Sequence, residues 1–295
     1  ALLAPGLAMP PALPPHGEAW ITTLDVGQGL AVVIRTANRT VLYDAGPLFG
    51  GGTDSGERVI APYMRATGID RLDALIVTHN DADHAGGAAS VVENFEVDAL
   101  VSSLPAQHPL RSAVADSRPC RRGAEWEWDG VSFALLHPAG GDPVPRRTND
   151  LSCVLRVSAG TGSMLLTGDI ERASEALLVA RGAGSLRSDV LLVPHHGSKT
   201  SSSSEFLAAV GPAIAVIPAG YRNRFGHPNT DVLGRYAALR ATVLRTDRDG
   251  AVTVRIGAAG ASATQERERA RRYWHLRWEE EHNSGAEFPA SDSRR

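Results

Sequence analysis

Two imidazoles and two carboxylates, those of His79, Asp81, Asp83 and His84, fall within six residues directly after the apolar run Leu72–Val77. Leu75, Ile76 and Val77 suit a central strand, and Gly86-Gly87 suits a tight turn into a helix. At this spacing the four side chains cannot all face one way on a strand or a helix. On a loop leaving a strand end they can converge, and two metal ions there would hold the charges together. Asp and His are ordinary loop residues, and one Asp can cap the following helix. Four ligand-type residues in six positions exceed what capping needs.

The 295 residues are 43% hydrophobic and 21% charged, an ordinary globular composition with room for one large α/β domain or two small ones. A net charge of −3 gives no general pull toward nucleic acid or anionic membranes, so such binding would need local patches. The opening ALLAPGLAMPPALPP lacks an initiator Met and a basic leader. It reads as neither a signal peptide nor a membrane span, and suggests a piece of a longer protein. Cys120 and Cys153 lack metal-site spacing; by count alone they are either a pair in an oxidising compartment or unrelated thiols.

Residues 1–19 read as a Pro-rich linker. Strands are expected at Trp20–Asp25, Leu30–Thr36 and Thr40–Asp44, then a Gly-rich loop and a helix over Glu57–Thr67 stopped by Gly68. After the Leu72–Val77 strand come a helix over Gly87–Phe95 and a strand at Ala99–Ser102. Hairpins are expected around Asp129-Gly130 and between Leu151–Ser158 and Ser163–Thr167. The second half then alternates helices (Glu171–Arg181, Phe206–Val210, Asp231–Arg240) with strands (Val190–Val193, Ala213–Ile217, Val243–Arg245, Ala251–Ile256). Two sheets packed face to face, with helices on both outer sides, account for this order. The Arg- and Glu-rich segment Gln265–His282, carrying Trp274, Leu276 and Trp278, reads as a surface helix, and the residues after Asn283 as disordered.

Two further apolar strands end in chemistry. Leu165-Leu166-Thr167-Gly168-Asp169 places a carboxylate where it can bridge two ions, although Asp169 alone could be a helix cap. Val190–Val193 runs into Pro194-His195-His196-Gly197-Ser198. A lone strand-end His is commonly structural, but three strands ending this way mark the place where α/β proteins build active sites.

Together these residues resemble the metallo-β-lactamase fold, whose signature is His-x-His-x-Asp-His, a strand-end Asp and a strand-end His. Asp81 departs from it by replacing the second His. The tracts LDVGQG at Leu24–Gly29, LYDAG at Leu42–Gly46, THNDADHAGG, LLTGD and VPHHGSKTSS resemble a narrower branch, the C-terminal domain of ComEC-type DNA-uptake proteins of competence. Phosphorylcholine esterases of cell-wall teichoic acid are related. The resemblance covers about Trp20 to Ile256. It implies an αββα sandwich at 20–258, a linker at 1–19 after a membrane segment, and a charged helix and tail at 259–295.

Carried over residue by residue, the resemblance makes His79 and Asp81 ligands of one metal, Asp83 and His84 ligands of the other, and Asp169 the bridge. His196 is the choice for the remaining ligand of the second metal, with His195 turned toward a substrate phosphate. The third-motif His of the family has no match; Asn149 and Asp150 lie near where it would fall. A carboxylate at position 81 makes the site harder, which favours Mn²⁺, with Zn²⁺ or Mg²⁺ also able to bind. The implied reaction is hydrolysis of DNA phosphodiesters by a dinuclear metal-activated hydroxide during transformation, degrading the strand that does not enter the cell.

Asp83 could help take the water's proton. Ser198, Lys199 and Thr200 offer donors to phosphate oxygens, with Lys199 also a catalytic charge. Asn223 and His227 lie in a second loop after a buried strand, where both could bind a substrate phosphate and His227 could also protonate the leaving oxygen. Arg222 and Arg224 could track a nucleic-acid backbone. Asp25, Gln28 and Asp44 read as supports, with Asp44 ordering the ligand loop. The Arg groups at 118–122 and 146–147 could wall a groove or simply be solvated. The implied location is the inner membrane with this domain on its outer side, where a Cys120–Cys153 disulfide could form. Implied partners are DNA and the membrane channel of the same full-length protein, with no nucleotide cofactor. Alternatives are a phosphodiesterase on a small or cell-wall substrate, and a catalytically silent module that guides DNA.

Overall fold

The computed structural model describes residues 11–140 and 147–272. Its main feature is a pair of mixed sheets. The first has eight strands in the order Gly260–Gln265, Val252–Gly257, Ala19–Thr23, Val32–Arg35, Thr40–Tyr43, Ala74–Val77, Ala99–Ser102 and Asp116–Pro119. The second has seven, in the order Thr242–Arg245, Ile214–Ile217, Val190–Leu192, Gly162–Leu166, Val154–Ala159, Val131–His137 and Glu125–Trp128. In each sheet one half pairs antiparallel and the other half parallel. Parallel strands run the same way, so their C-terminal ends gather along one edge, and that is where ligands bind in such sheets.

Three apolar layers hold the sandwich. Between the sheets lie Ile21, Tyr43, Ile76, Leu155, Leu166, Leu192 and Val254, all buried. The outer face of the first sheet packs Leu42, Leu75 and Val77 against Ile60, which ends the turn Gly56–Ile60, and against Met64 and Val91 of the helices Ala61–Ala66 and Ala88–Asn94. The outer face of the second packs Leu165 and Leu191 against Leu178, Phe206 and Tyr236 of Arg172–Gly182, Ser204–Val210 and Thr230–Ala238. Strands such as Ala74–Val77, buried along their whole length, carry continuous apolar runs because both faces are covered. The αββα sandwich expected from the sequence is the fold observed.

Four local differences have physical causes. Asp116–Pro119 is a strand although its sequence is polar, because it sits at the sheet edge, where one face meets solvent. The expected domain end at 258 falls inside the Val252–Gly257/Gly260–Gln265 hairpin, so the sheet continues to Gln265 and a short helix, Glu266–Arg269, follows. The helix expected over Glu57–Thr67 begins as a wide turn, Gly56–Ile60, before Ala61–Ala66. The ligand loop contains a helical turn of its own, Ala82–Ala85. Expectations for residues 1–10, Arg146, the helix through Trp274, Leu276 and Trp278 to His282, and the tail after Asn283 lie outside the described residues. Among the described residues no helix is long and apolar enough to cross a membrane.

Phe206, fully buried in the outer layer of the second sheet, anchors the Ser204–Val210 helix. Phe206→Ala is expected to lower unfolding free energy by about 3–5 kcal/mol, read as an earlier urea midpoint with an unchanged slope.

Candidate metal centre

Asp44 organises the ligand loop. Its carboxylate, fully buried at the end of the Thr40–Tyr43 strand, accepts the Thr78 backbone N–H at 2.7 Å and the Thr78 hydroxyl at 2.8 Å. It also lies 2.7 Å from His84 Nδ1. An ionised carboxylate only accepts, so His84 Nδ1 carries the proton and Nε2 is left for other chemistry. Backbone bonds from Leu30 N–H to Asp83 and from Ala45 N–H to His84 brace the loop from both sides. The first needs glycine beside it, because a Cβ on Gly29 would stand 2.5 Å from the Asp83 carbonyl oxygen.

His79 and His196 are set in the same way. The Thr78 hydroxyl gives its hydrogen to Asp44, so its oxygen accepts from His79 Nδ1 at 2.9 Å. His196 Nδ1 donates to the Pro218 carbonyl at 2.8 Å. Three imidazoles thus turn their Nε2 atoms inward. His84 Nε2 is 3.1 Å from Asp169 Oδ1 and 3.3 Å from His196 Nε2, and His196 Nε2 is 3.4 Å from Asp83 Oδ2.

These contacts define two overlapping groups able to hold a cation: His79, His84 and Asp169, and Asp83, His84 and His196. The donor set fits a divalent ion on a direct observation. His79 Nε2 and Asp169 Oδ1 are buried without a hydrogen-bond partner, a costly state for acceptors unless a cation fills the space between them. The 3.1 Å approach of His84 to Asp169 is close enough for an ion pair, but it is not a well-directed hydrogen bond.

The charges agree with this reading. Burial opposes charge on His84, but Asp169 and Asp44 outweigh it and hold the imidazole well above its ordinary value. His196 is raised against burial by Asp169 and Asp83. Burial, with the charge on His84, pushes His79 down to about 4. Burial also opposes ionisation of the acids. The charges on His84 and His196 nonetheless hold Asp169 well below the carboxylate range. Asp83 is brought down to about 2 by its His196 hydrogen bond and by the charges on His84 and His196.

The His pair owes its direction to backbone strain. His195 (φ 51°) and His196 (φ 54°) are successive non-glycine residues in the left-handed region, followed by Gly197 at φ 81°, a turn that costs of order 1–3 kcal/mol per residue. Both rings therefore reach the site. His196 is buried, while His195 lies at the rim. His195 Nε2 is 3.7 Å from Asp169 Oδ2 and 3.5 Å from Asn149 Nδ2, and its Nδ1 is 3.3 Å from Thr200 Oγ1 and 3.5 Å from Glu171 Oε1.

Asp81 also sits at the rim, outside both groups. Its Oδ2 is 3.7 Å from His79 Nε2, and its Oδ1 accepts from the Thr148 hydroxyl at 2.6 Å. Of the two residues near the missing His, Asn149 points to the site, whereas Asp150 turns away to accept from Ser174 Oγ. Ser198 is buried with its hydroxyl 3.0 Å from that of Thr200, and Lys199 is exposed.

The Asn223 amide is engaged within its own loop. It donates to the Gly220 and His227 carbonyls and accepts from the His227 N–H, so it shapes the loop. That loop brings the His227 ring within 5.8 Å of the His195 ring. Burial, together with the charges on His196 and His195, pushes His227 down to about 4.

Gln28 Oε1 accepts from Gly220 N–H, tying the first Gly loop to this one, and Asp25 pairs with Arg267. Arg118 pairs with Asp116 and Arg147 with Glu171. Cys120 and Cys153 form a disulfide with Cα atoms 5.8 Å apart.

Ser152, Thr148 and Glu171 escaped the sequence reading. Each is a common polar residue whose placement depends on a turn rather than on a motif.

A family model for the metallo-β-lactamase superfamily matches residues 24–221, and the chain belongs to that superfamily, whose members are generally metal-dependent hydrolases. The chain is 39% identical over 262 residues to Competence protein ComA of Neisseria gonorrhoeae, covering 89% of this chain and 36% of that protein. It is 38% identical over 236 residues to Recombination protein 2 of Haemophilus influenzae, covering 79% and 28%. The chain thus spans about a third of the length of the curated relatives it matches, and the resemblance to competence proteins read from the motifs holds. Among solved structures, Tm1679, a metal-dependent hydrolase of the β-lactamase superfamily, superposes with a TM-score of 0.51 at 13% identity, covering 77% of this chain and 95% of that one. That likeness concerns the fold.

Two outcomes follow from the electrostatics. Without a metal, His84, held well above its ordinary value, and His196, raised from its own, favour the protonated form, and a metal must displace those protons. Metal uptake at pH 7 is therefore expected to release protons, detectable with an indicator dye, and affinity should fall as pH is lowered. Asp44→Asn, which removes the charge that fixes His84, should weaken metal binding by about 10–100-fold in calorimetry.

Proposed function

We propose that this chain is a metal-dependent phosphodiesterase that hydrolyses DNA during uptake, degrading the strand that is not transported. The observation that carries this reading is a continuous run of contacts from the buried centre to an exposed basic and aromatic loop. His195 neighbours Asp169, the His195 ring meets that of His227, and Phe225 stacks on His227. Phe225 and Tyr221 are exposed, with the Arg224 guanidinium 4.9 Å and the Arg222 guanidinium 5.2 Å from their ring centres. Aromatic faces interleaved with arginines are what bases and phosphates of an unpaired strand recognise. A choline-like headgroup would call for a closed aromatic cage, and these two rings lie open to solvent.

Divalent ions held by His79, Asp83, His84, Asp169 and His196, with Asp81 at the rim 3.7 Å from His79 Nε2, would supply Lewis-acid charge to the phosphate and acidify an attacking water. Asp83 stays ionised at neutral pH and is placed to accept that water's proton. His195, half-exposed between Asp169 and Thr200, faces the substrate side. His227 is neutral and donates one N–H to a phosphate oxygen. Lys199 is the sole lysine among the chain's 30 Lys and Arg residues. Its ammonium is a compact charge with three donors, suited to a phosphate whose position shifts during reaction. Ser198 bonds Thr200 beneath it, and Thr200 in turn holds His195 Nδ1.

The carboxylate of Asp81 in place of an imidazole shifts the site from Zn²⁺ toward harder ions, and the remaining imidazoles favour Mn²⁺ over Mg²⁺. The relatives are longer than this chain, which leaves room for a further part of the protein, and we take that part to form the membrane channel. The disulfide supports a position on the outer, oxidising side of the membrane.

Labelled single- and double-stranded DNA incubated with Mn²⁺ tests the reading. Wild type should cleave, chelation should stop it, and Mn²⁺ add-back should restore it. Asp83→Ala and Asp169→Ala should each lose more than about 100-fold, beyond the range of supporting residues, and Lys199→Ala about 100-fold. Cleavage unchanged in both Asp variants would refute the mechanism.

A further inference from the structure

The ligands come from two different sheets. His79, Asp83 and His84 follow the Ala74–Val77 strand of the first, whereas Asp169 and His196 follow strands of the second. Their spacing therefore depends on how firmly the sheets are registered at this edge, and apolar packing between sheets is non-directional. A fully buried segment, Ser152-Cys153, spans the gap and leads into the second-sheet strand Val154–Ala159.

Ser152 Oγ accepts the backbone N–H of Asp169 at 3.0 Å and lies 3.4 Å from His79 Nδ1. It thus touches one ligand from each sheet. The chain beside it is close-fitting, since Gly168 has φ +53° and a Cβ there would come within 2.9 Å of Ser152 Cβ. The next residue, Cys153, is bonded to Cys120, which follows the first-sheet strand Asp116–Pro119 and donates its N–H to Ser102 in the adjoining strand. The Cys153 carbonyl accepts from the hydroxyl of Tyr43, a first-sheet residue next to Asp44, at 2.6 Å.

We propose that the Cys120–Cys153 bond and Ser152 act together as a positioning device for the metal centre. The disulfide and Tyr43 fix the Ser152-Cys153 segment to the first sheet, and Ser152 sets Asp169 against His79 at the separation a pair of ions requires. Ser152 is a positioning residue, acting through His79 and the Asp169 backbone. The disulfide then has a functional role beyond restricting the unfolded chain. This inference rests on the metal reading.

Mn²⁺ titration of wild type, Ser152→Ala and Cys120→Ser/Cys153→Ser tests it, followed by calorimetry and by electron paramagnetic resonance, with circular dichroism confirming the fold. Wild type should bind two ions and give the signal of a spin-coupled pair. Ser152→Ala, which deletes one oxygen, should keep its melting temperature within a few degrees. It should bind the ion next to His79 about 10–100-fold more weakly and give a mononuclear signal at limiting metal. The double Cys variant should melt earlier and, while folded, show the same loss of coupling. Wild-type stoichiometry and coupling in Ser152→Ala would overturn the role of Ser152. The same result in a folded double variant that melts earlier would reduce the disulfide to a stabilising bond. A wild type that binds no Mn²⁺ would remove the metal reading, and this inference with it.

Discussion

The Asp44 carboxylate accepts from the Thr78 backbone, the Thr78 hydroxyl and His84 while excluded from water. Each bond transmits order to a different part of the centre. Through the backbone bond the Ala74–Val77 strand end is held beside the Thr40–Tyr43 end. Through the hydroxyl the proton of His79 is directed to Nδ1. Through the imidazole bond His84 Nε2 is turned inward. A buried charge is tolerated only where its bonds are complete, so the carboxylate enforces the arrangement that satisfies it.

Opposing this order is a concentration of acceptors. His79 Nε2 and Asp169 Oδ1 lack partners, and His84 Nε2 stands against a carboxylate oxygen. Protons on His84 and His196 relieve part of the conflict, and divalent cations relieve it more fully. Strain adds to it at His195-His196, where two left-handed residues in succession bring both rings to one side. Such strain persists where the surroundings hold it, and here they do: His195 N–H donates to Gly168, Ser198 N–H donates to His195, and Ser201 Oγ donates to Pro194.

Much of the fold could be read from the sequence because the central strands are buried on both faces and show as uninterrupted apolar runs. The edge strands Asp116–Pro119 and Gly260–Gln265 carry no such signal and do not stand out in the sequence, whereas the edge strand Glu125–Trp128 shows through its Asp129-Gly130 turn. The residues gathered at the centre could be read for a related reason: Asp44, Asp169 and His195-His196 each follow an apolar run at once. What each side chain does there could not be. Whether adjacent histidines diverge or converge depends on φ, and both converge. Asn223 had the composition of a phosphate binder but spends its amide on its own loop. Ser152 reads as an unremarkable residue before a strand, and its importance comes from contacts with residues 73 and 17 positions away.

The central claim is that the Nε2 atoms and carboxylates at these strand ends hold a pair of divalent ions. Anomalous diffraction from Mn²⁺-soaked crystals, collected at the manganese edge, tests it directly. Two peaks about 3.5–4 Å apart are expected, one beside His79 and Asp81, the other beside Asp83 and His196, with Asp169 between them. No peak at this edge of the sandwich, or one bound only by residues elsewhere, would contradict it.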